Sequence, residues 1–449
     1  MTTRRDMLET ATVGLGITAL NAMLGSQSAL GDQRTVVSSS GIPSPHFAPR
    51  AKRVIFLFMQ GGPSHIDTFD YKPDLAAMAE KEKRSKGNYF PSPFRFRQHG
   101  DSGLPISDVF PELSKHADDL CLLNGMHTDN PAHPQATIML HTGSVRFVRP
   151  SVGSWVTYGL GTENENLPGF VTINPPTNLG GAQNYGSAFL PATYQATKVN
   201  ADKNPISNIN SSLAMPQQRR QIDFIQQMNR DLLKRHQANE ELEGIIESYE
   251  LAFRMQSSVP ELVDLASESE STKRKYGIDA KPTATFGRQC LMARRLAEAG
   301  VRFIQISHRG WDQHKDLKKR LQVNGKATDQ PIAALLSDLK SRGMLEETLV
   351  VWGGEFGRQP RMQNNGGRAH NHRGYTMWLA GGGIKGGMRY GATDPSGQNA
   401  ISNKVHTHDL HATMLHLLGL DHERLTYRYS GRDFRLTDVY GNVLHDIIS

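Results

Sequence analysis

Thr348-Leu-Val-Val-Trp-Gly-Gly-Glu-Phe-Gly-Arg358 joins an apolar run to a glycine turn and a carboxylate, and this order indicates the architecture of the whole chain. An unbroken apolar run is typical of a strand buried on both faces. Other mainly apolar runs occur at Arg53–Met59, Leu120–Leu123, Phe170–Ile173, Val301–Ile306 and Tyr375–Leu379, with helical patterns between them. Strands that alternate with helices predict an α/β fold, a doubly wound and mostly parallel sheet with helices on both faces.

Polar side chains follow two of these runs at the points where the strands should end. Asp312 and His314 follow one run, and Glu355 follows another behind two glycines. Because open parallel sheets collect ligands at the carboxyl ends of their strands, we expect these side chains to converge. Asp, Glu and His are ligands for zinc, calcium, magnesium or manganese, so the sequence predicts a divalent metal site. The alternatives are a capping role for Asp312 and His314 and a salt bridge from Glu355 to Arg358 or Arg361.

Further histidines follow in the last third of the chain. His370 and His372 point to the same side if their segment is extended, so either could complete the metal site. A second group, His406, His408 and His411, lies where a helix begins, and there Asp409 is expected to cap the helix.

The amino-terminal half adds candidates for chemistry. His65 and Asp67 follow the first strand through a Gly-Gly-Pro turn, which is a place for a further ligand or a catalytic acid or base. His133 lies at the start of a helix, whose unpaired N–H groups favour a phosphate or sulfate anion. We expect His133 or His65 to act as acid, base or nucleophile, and Arg358 or Arg373 to hold the anion. Local capping and turn chemistry is the alternative for both histidines.

The first residues carry an export address. Arg4-Arg5 is followed by an apolar run from Ala11 to Leu24, which is too short for a stable membrane span, and then by small residues. This order predicts a twin-arginine signal peptide at 1–31, a linker at 32–50 and a single domain at 51–449. The protein would then be periplasmic or extracellular, with the twin-arginine translocase as its partner during export. A chance arginine pair is the alternative.

Charge and cysteine content narrow the classes of function. The formal charge is +7, which fits an anionic substrate or surface. The sequence contains no zinc-finger spacing, RNP pattern or helix-turn-helix signature, so we expect no nucleic-acid partner. Cys121 and Cys290 lie among apolar residues and are expected to be buried free thiols. Among the helices, one is predicted from Pro216 to about Arg254, and another at Pro331–Lys340 with its proline in the first turn.

Several motifs together resemble one family. They are Met59-Gln-Gly-Gly-Pro-Ser-His-Ile-Asp-Thr-Phe-Asp70, Gly310-Trp-Asp-Gln-His314, the stretch ending at Arg358, Gly367-Arg-Ala-His-Asn371, Trp378–Gly387 and His408–Gly419. They resemble the DUF1501 family, exported bacterial proteins that are similar to sulfatases and alkaline phosphatases. The resemblance implies an alkaline-phosphatase-like fold. It also implies that Asp312, His314 and His370 are metal ligands, with His372 as a competitor of His370 and Glu355 in place of an Asp.

The chain departs from the wider superfamily at three positions. Gln60 stands where that superfamily has its first metal-binding Asp, so this role passes to Asp67 or is lost. Phe356 replaces a His or Asn ligand. His133 falls where a sulfatase has its modified Cys, which excludes formylglycine chemistry. We therefore expect an exported metal-dependent hydrolase of an anionic sulfate or phosphate ester, acting on a small molecule or polysaccharide. The alternative is a non-catalytic, metal-containing envelope protein that binds glycans or anionic polymers.

Overall fold

The computed structural model describes residues 44–83, 88–201, 213–235, 240–363 and 365–449. The predicted signal peptide lies outside these residues, as does most of the predicted linker. In the described part of the chain, no helix is both long and apolar enough to cross a membrane.

The secondary structure alternates between strands and helices as the sequence predicts. The strands are β1 (Arg53–Met59), β2 (Phe96–His99), β3 (Leu104–Ser107), β4 (Leu120–His127), β5 (Phe170–Ile173), β6 (Thr197–Val199), β7 (Phe303–His308), β8 (Thr348–Gly353), β9 (Gly357–Gln363), β10 (Gly367–Asn371), β11 (Tyr375–Ala380), β12 (Met388–Tyr390), β13 (Ala392–Thr393), β14 (Ala400–Ser402), β15 (Val405–His406), β16 (Tyr427–Tyr429) and β17 (Arg432–Phe434). The α-helices are α1 (Asp74–Lys83), α2 (His133–Thr142), α3 (Val152–Leu160), α4 (Met215–Arg235), α5 (Glu240–Val263), α6 (Glu270–Lys275), α7 (Ala284–Glu298), α8 (Leu317–Ser341) and α9 (Thr407–Leu417).

Nine of the strands form one central sheet in the order β12-β4-β11-β8-β1-β7-β5-β6, with β15 also paired to β4. Strand β11 runs antiparallel to both of its neighbours, and the other pairs in this sheet are parallel. The prediction of a doubly wound, mostly parallel sheet is confirmed. The strands at its centre are fully buried, which explains their unbroken apolar sequences.

Two hydrophobic cores cover the two faces of the sheet, because successive side chains of a strand point to opposite sides. Ile55 and Leu57 of β1 belong to the core that α7 and α8 complete. Val54 and Phe56 belong to the core that α2, α3 and α9 complete. Cys121 and Cys290 are buried and unpaired, as predicted.

The helix predicted at Pro331–Lys340 is wrong in its extent. Helix α8 begins at Leu317, so Pro331 lies in its interior and not in its first turn. An interior proline costs a helix about 3 kcal/mol. The apolar face of α8, which includes Leu321, Leu335 and Leu336, is fully buried against the sheet, and this packing outweighs that cost. The helix predicted from Pro216 to Arg254 corresponds to α4 and α5, with residues 236–239 outside the described part.

The carboxyl ends of β1 and β7 lie side by side, and their connections meet at close range. Gly61 has a φ of +114°, and a Cβ at this position would lie 2.4 Å from the Asp312 backbone nitrogen. A Cβ at Gly367 in β10 would lie 1.9 Å from the backbone of His314. Only glycine permits both approaches. They bring the Asp312–His314 segment against β1 and β10.

Candidate metal centre

Four side chains from three separate parts of the fold meet above this end of the sheet. Asp312 and His314 come from the connection after β7, His370 comes from β10, and His133 is the first residue of α2. One ligand atom from each lies within 4.8 Å of the corresponding atom in every other member. Among the described residues, this is the group of histidine and carboxylate side chains that could hold a metal ion.

The three imidazoles point the same nitrogen towards one carboxylate oxygen. Asp312 Oδ1 lies 2.8 Å from His314 Nε2, 3.2 Å from His133 Nε2 and 3.4 Å from His370 Nε2. The Nε2 atoms of His314 and His370 are themselves only 2.9 Å apart. Four potential donor atoms therefore surround one small volume.

The opposite nitrogen of each ring faces an acceptor. His133 Nδ1 donates to Glu355 Oε1 at 2.5 Å, His314 Nδ1 donates to Gln363 Oε1 at 2.7 Å, and His370 Nδ1 donates to the Pro131 carbonyl at 2.7 Å. A proton fixed on Nδ1 leaves the lone pair of the neutral ring on Nε2. Metal-bound histidines in proteins are held in this tautomer by such outer contacts.

The pair formed by His314 and His370 tests whether a cation fits the site. Two nitrogen lone pairs repel each other at 2.9 Å unless a proton or a metal ion lies between them. Because both Nδ1 atoms already donate to oxygen, a cation bound by the two Nε2 atoms satisfies both rings at once. The residues present therefore fit a divalent ion with nitrogen-rich ligation.

Glu355 lies beneath these four side chains and is fully buried. Its two oxygens accept a hydrogen bond from the Gly61 backbone nitrogen, at 3.0 and 3.2 Å, in addition to the contact with His133. Burial alone would lower the pKa of His133, but its contacts with Asp312 and Glu355 outweigh burial and raise that pKa to about 9. The sequence predicts Glu355 as a ligand, and the structure places it one step behind His133.

Arg358 braces the loop that carries Asp312. Its guanidinium is fully buried and donates to the carbonyls of Gly61, Gly62 and Trp311 and, at 2.7 Å, to Asp312 Oδ1. Burial acts to raise the pKa of Asp312. The contacts with His133 and His370 and the Arg358 guanidinium outweigh burial and hold that pKa well below its usual range. The carboxylate is thus kept ionised.

An aromatic ring closes the inner side of the centre. The Phe356 ring centroid lies 4.7 Å from that of His133 and 4.6 Å from that of His370. Asp312 and His314 are the more exposed members, with 45% and 34% of their side-chain surfaces accessible. Solvent therefore reaches the centre from the side of these two residues.

The remaining predicted site residues lie outside this group of four side chains. Asp67 is buried and forms a two-pronged salt bridge with Arg368, at 2.8 and 3.1 Å. His65 is also buried, and its Nε2 donates to the Gly397 carbonyl at 2.8 Å, while burial lowers its pKa. His372 is partly exposed and is not a member of the group.

The acceptors of the Nδ1 protons are the part of the centre that sequence reasoning misses. Gln363 ends β9, and Pro131 contributes only its backbone carbonyl. No motif marks a backbone carbonyl as a partner of a histidine, so the Pro131 contact has no sequence signal. The position of His133 at a helix start does signal a functional residue, although it suggests proton transfer rather than ligation.

Several solved structures are similar to this chain at low identity. One is the C-terminal periplasmic domain of EcEptC from Escherichia coli in complex with zinc, with 10% identity, a TM-score of 0.40 and coverage of 85% of this chain and 87% of that chain. Another is the PsFucS1 sulfatase from Pseudoalteromonas sp., with 13% identity, a TM-score of 0.36 and coverage of 83% and 69%. A third is a mutant of TAB5 alkaline phosphatase with magnesium bound, with 11% identity, a TM-score of 0.36 and coverage of 83% and 99%. Identities and TM-scores this low do not assign the activity of any of these proteins to this chain.

Sequence comparison gives a firmer result. No curated protein matches the chain. The model of DUF1501, described as a protein of unknown function, matches residues 51–448, which is nearly all of the predicted domain. The chain therefore belongs to the DUF1501 family.

Proposed function

We propose that this protein is an exported metal-dependent hydrolase of an anionic ester, a sulfate or phosphate ester. The observation that carries the proposal is the orientation of three imidazoles. Each has its Nδ1 proton fixed on an oxygen, and each turns Nε2 towards Asp312 Oδ1. Outer hydrogen bonds that fix the tautomer in this way are typical of metal-bound histidines.

The donor set favours zinc among the divalent ions. Three imidazoles and one carboxylate suit a borderline ion, whereas calcium and magnesium prefer shells of oxygen. The ion would replace the proton that the raised pKa leaves on His133. When bound, such an ion supplies a Lewis acid for the ester oxygen and lowers the pKa of a nearby water. The ligands in this proposal are His133, Asp312, His314 and His370.

The neighbouring side chains have supporting roles in this proposal. Glu355 orients His133. Arg358 orients Asp312 through one hydrogen bond and donates its other N–H groups to backbone carbonyls. Arg358 is therefore too enclosed to reach an ester. The exposed Arg373 stays a candidate for holding the anionic group. His65 donates to a carbonyl within the core, so its support for an acid–base role is weak.

The number of protein ligands favours a second candidate function. Four protein ligands complete a tetrahedral zinc shell, and closed shells are typical of structural zinc, whereas catalytic zinc keeps a position for water. A metal-containing envelope protein that binds glycans or anionic polymers without cleaving them fits such a shell. The exposure of Asp312 and His314 favours the hydrolase, because a fifth ligand can approach from their side.

Metal analysis of the purified protein, combined with a panel of sulfate and phosphate esters, tests both functions. We expect one divalent ion for each chain and ester turnover that is lost on chelation and restored by zinc. His314→Ala should lose the ion, whereas the matched variant His99→Ala, at a partly exposed histidine in β2, should keep it. A protein that binds no divalent ion even after reconstitution contradicts both candidates. A bound ion without turnover on any ester favours the binding protein.

A further inference from the structure

Two neighbouring loops expose apolar side chains at their tips. Phe147 and Val148 follow α2 and are 63% and 62% exposed, and Val439 and Tyr440 near the carboxyl terminus are 68% and 61% exposed. We call these four residues the loop-tip surface. Scattered exposed apolar residues are ordinary, but pairs at the tips of adjacent loops mark an interaction site.

The two loops touch each other at Gly143. A Cβ at Gly143 would lie 2.3 Å from the Leu436 carbonyl oxygen, so the start of one loop rests on the other. His408 Nε2 donates to the Gly143 carbonyl at 2.9 Å, and the His408 ring lies parallel to the Tyr440 ring with centroids 5.2 Å apart. Both tips therefore belong to one face of the molecule.

Cationic side chains accompany this surface. The Arg149 guanidinium lies over the Phe434 ring at 4.2 Å and over the Phe147 ring at 5.2 Å. Arg146 is exposed. Asp438 pairs with Arg432 at 2.5 Å and also acts on the Arg149 guanidinium through its charge, and Arg435 pairs with Glu423 at 3.0 Å. These four arginines therefore exceed the two carboxylates by two positive charges.

We propose that the loop-tip surface docks the protein on a membrane that contains anionic phospholipids. Phe147, Val148 and Val439 would enter the boundary between headgroups and acyl chains, with Tyr440 at the headgroup level. Arg146 and Arg149 would contact the lipid phosphates.

The valine at each tip favours a lipid over a soluble anionic polymer. A sugar ring stacks on a flat aromatic face, which Phe147 and Tyr440 could offer but Val148 and Val439 do not. Hydrocarbon accepts valine and phenylalanine equally well. The combination of a valine and an aromatic residue at each tip with an excess of arginines therefore fits a lipid bilayer with negative headgroups. This inference does not depend on the activity of the metal centre.

A tryptophan at the tip can report the insertion in the full chain. The four native tryptophans are all buried, so their emission should change little on binding. In Phe147→Trp, emission should shift to the blue when phosphatidylglycerol vesicles are added and stay unchanged with pure phosphatidylcholine. The matched control is Ile401→Trp, because Ile401 is 56% exposed at another place, in β14. It should show no shift. The probe reads its own position, so membrane binding by the amino-terminal apolar run does not mimic the signal.

The arginines are tested in the Phe147→Trp background. Arg146→Gln should raise the lipid concentration for the half-maximal shift about fivefold, since one arginine near an anionic surface is worth about 1 kcal/mol. Val439→Ser should raise it as well, with unchanged thermal unfolding and metal content. An equal shift with neutral vesicles, or a shift of Ile401→Trp equal to that of Phe147→Trp, overturns the proposal. A shift with dextran sulfate but not with anionic vesicles also overturns it and assigns the surface to an anionic polymer.

Discussion

The chain contains two groups of histidines, and they use their ring nitrogens in opposite ways. In the first group, formed by His133, His314 and His370, Nδ1 is the nitrogen that donates to a fixed oxygen. In the second group, formed by His408 and His411 of α9, Nε2 is the nitrogen that donates. The first group is left with three Nε2 atoms that face a common carboxylate, whereas the second group is left with Nδ1 atoms buried and without a hydrogen-bond partner.

The contrast shows what separates a candidate ligand from a structural histidine. His408 and His411 donate to the carbonyls of Gly143 and Leu140, at 2.9 and 2.8 Å, and so fasten α9 to α2. Their remaining nitrogens do not converge on any acid. The histidines of the second group are much closer together in the sequence than those of the first, so the outer hydrogen bond decides the role, not the density of histidines.

Removal of one imidazole from the first group should have the largest effect on metal binding. We expect His314→Ala to weaken zinc affinity by more than about a hundredfold, because loss of a ligand costs more than the 10–100-fold typical of an outer partner. Competition with a chromophoric chelator measures this affinity. His411→Ala, from the second group, should keep wild-type affinity. Equal losses in the two variants would end the distinction between the groups.

His133→Ala asks whether this residue belongs fully to the first group. Sequence reasoning predicts an acid, base or nucleophile, whose loss lowers turnover roughly a hundredfold while the metal is retained. The arrangement around Asp312 leads us to expect that metal affinity falls together with turnover. Metal content and turnover of the same preparation separate these two outcomes. A variant with full metal content and no turnover restores the acid–base role.

Glu355→Gln should weaken metal binding less than the loss of a histidine from the first group. The amide oxygen can still accept the His133 Nδ1 proton, but the negative charge that increases the basicity of the ring is lost. We expect zinc affinity to fall about tenfold, at the low end of the range for outer partners. Glu346→Gln, at an exposed position before β8, serves as the matched control. An unchanged affinity in Glu355→Gln would falsify the role of this carboxylate.

The second group should make the free energy of unfolding depend on pH. Burial lowers the pKa of His411 to about 3. The folded state therefore resists protonation below the ordinary pKa of about 6.5, where the unfolded state takes up a proton. This stability is fully present above pH 6.5 and is lost as the pH falls towards the folded pKa.

His411→Gln keeps an N–H donor for the Leu140 carbonyl but removes the titration. Near pH 5, where the unfolded state is almost fully protonated at this position, we expect the slope of unfolding free energy against pH to decrease by about 1.4 kcal/mol for each pH unit. Chemical denaturation in the presence of a chelator measures this slope without a contribution from bound metal. A slope equal to that of wild type would mean that His411 is already protonated in the folded state.

Much of the fold could be predicted because buried strands require apolar residues, which the sequence shows directly. The apolar runs at β1 and β8 are uninterrupted, and those at β5 and β11 contain one threonine each, since both faces of these strands are covered. Asp409 completes a capping box with His406 at the start of α9, as its position predicts. Helix α8 was harder to predict, because its interior Pro331 resembles a helix start until the packing of the preceding residues, about four turns, is known.

The candidate site could be predicted in part. Asp312, His314 and His370 come together because strand ends and a close glycine approach place them there. The strand ends can be predicted from the sequence, whereas the close approach cannot. The sequence does not predict how Glu355 and His133 divide the roles of ligand and orienting residue. Either residue could be ligand or orienter, and only the direction of α2 above the sheet places His133 on the inner side of Glu355.

The ring of Phe356 affects how long a bound ion would remain. Because this side chain packs against His133 and His370, a bound ion would exchange mainly on the side of Asp312 and His314. The proposed ligands come from α2, the β7–α8 connection and β10, so the site is complete only when these distant segments have all folded. An ion that binds at that moment would leave through one open side and therefore slowly. Occupancy soon after folding would then depend on the metal supply of the compartment in which the chain folded.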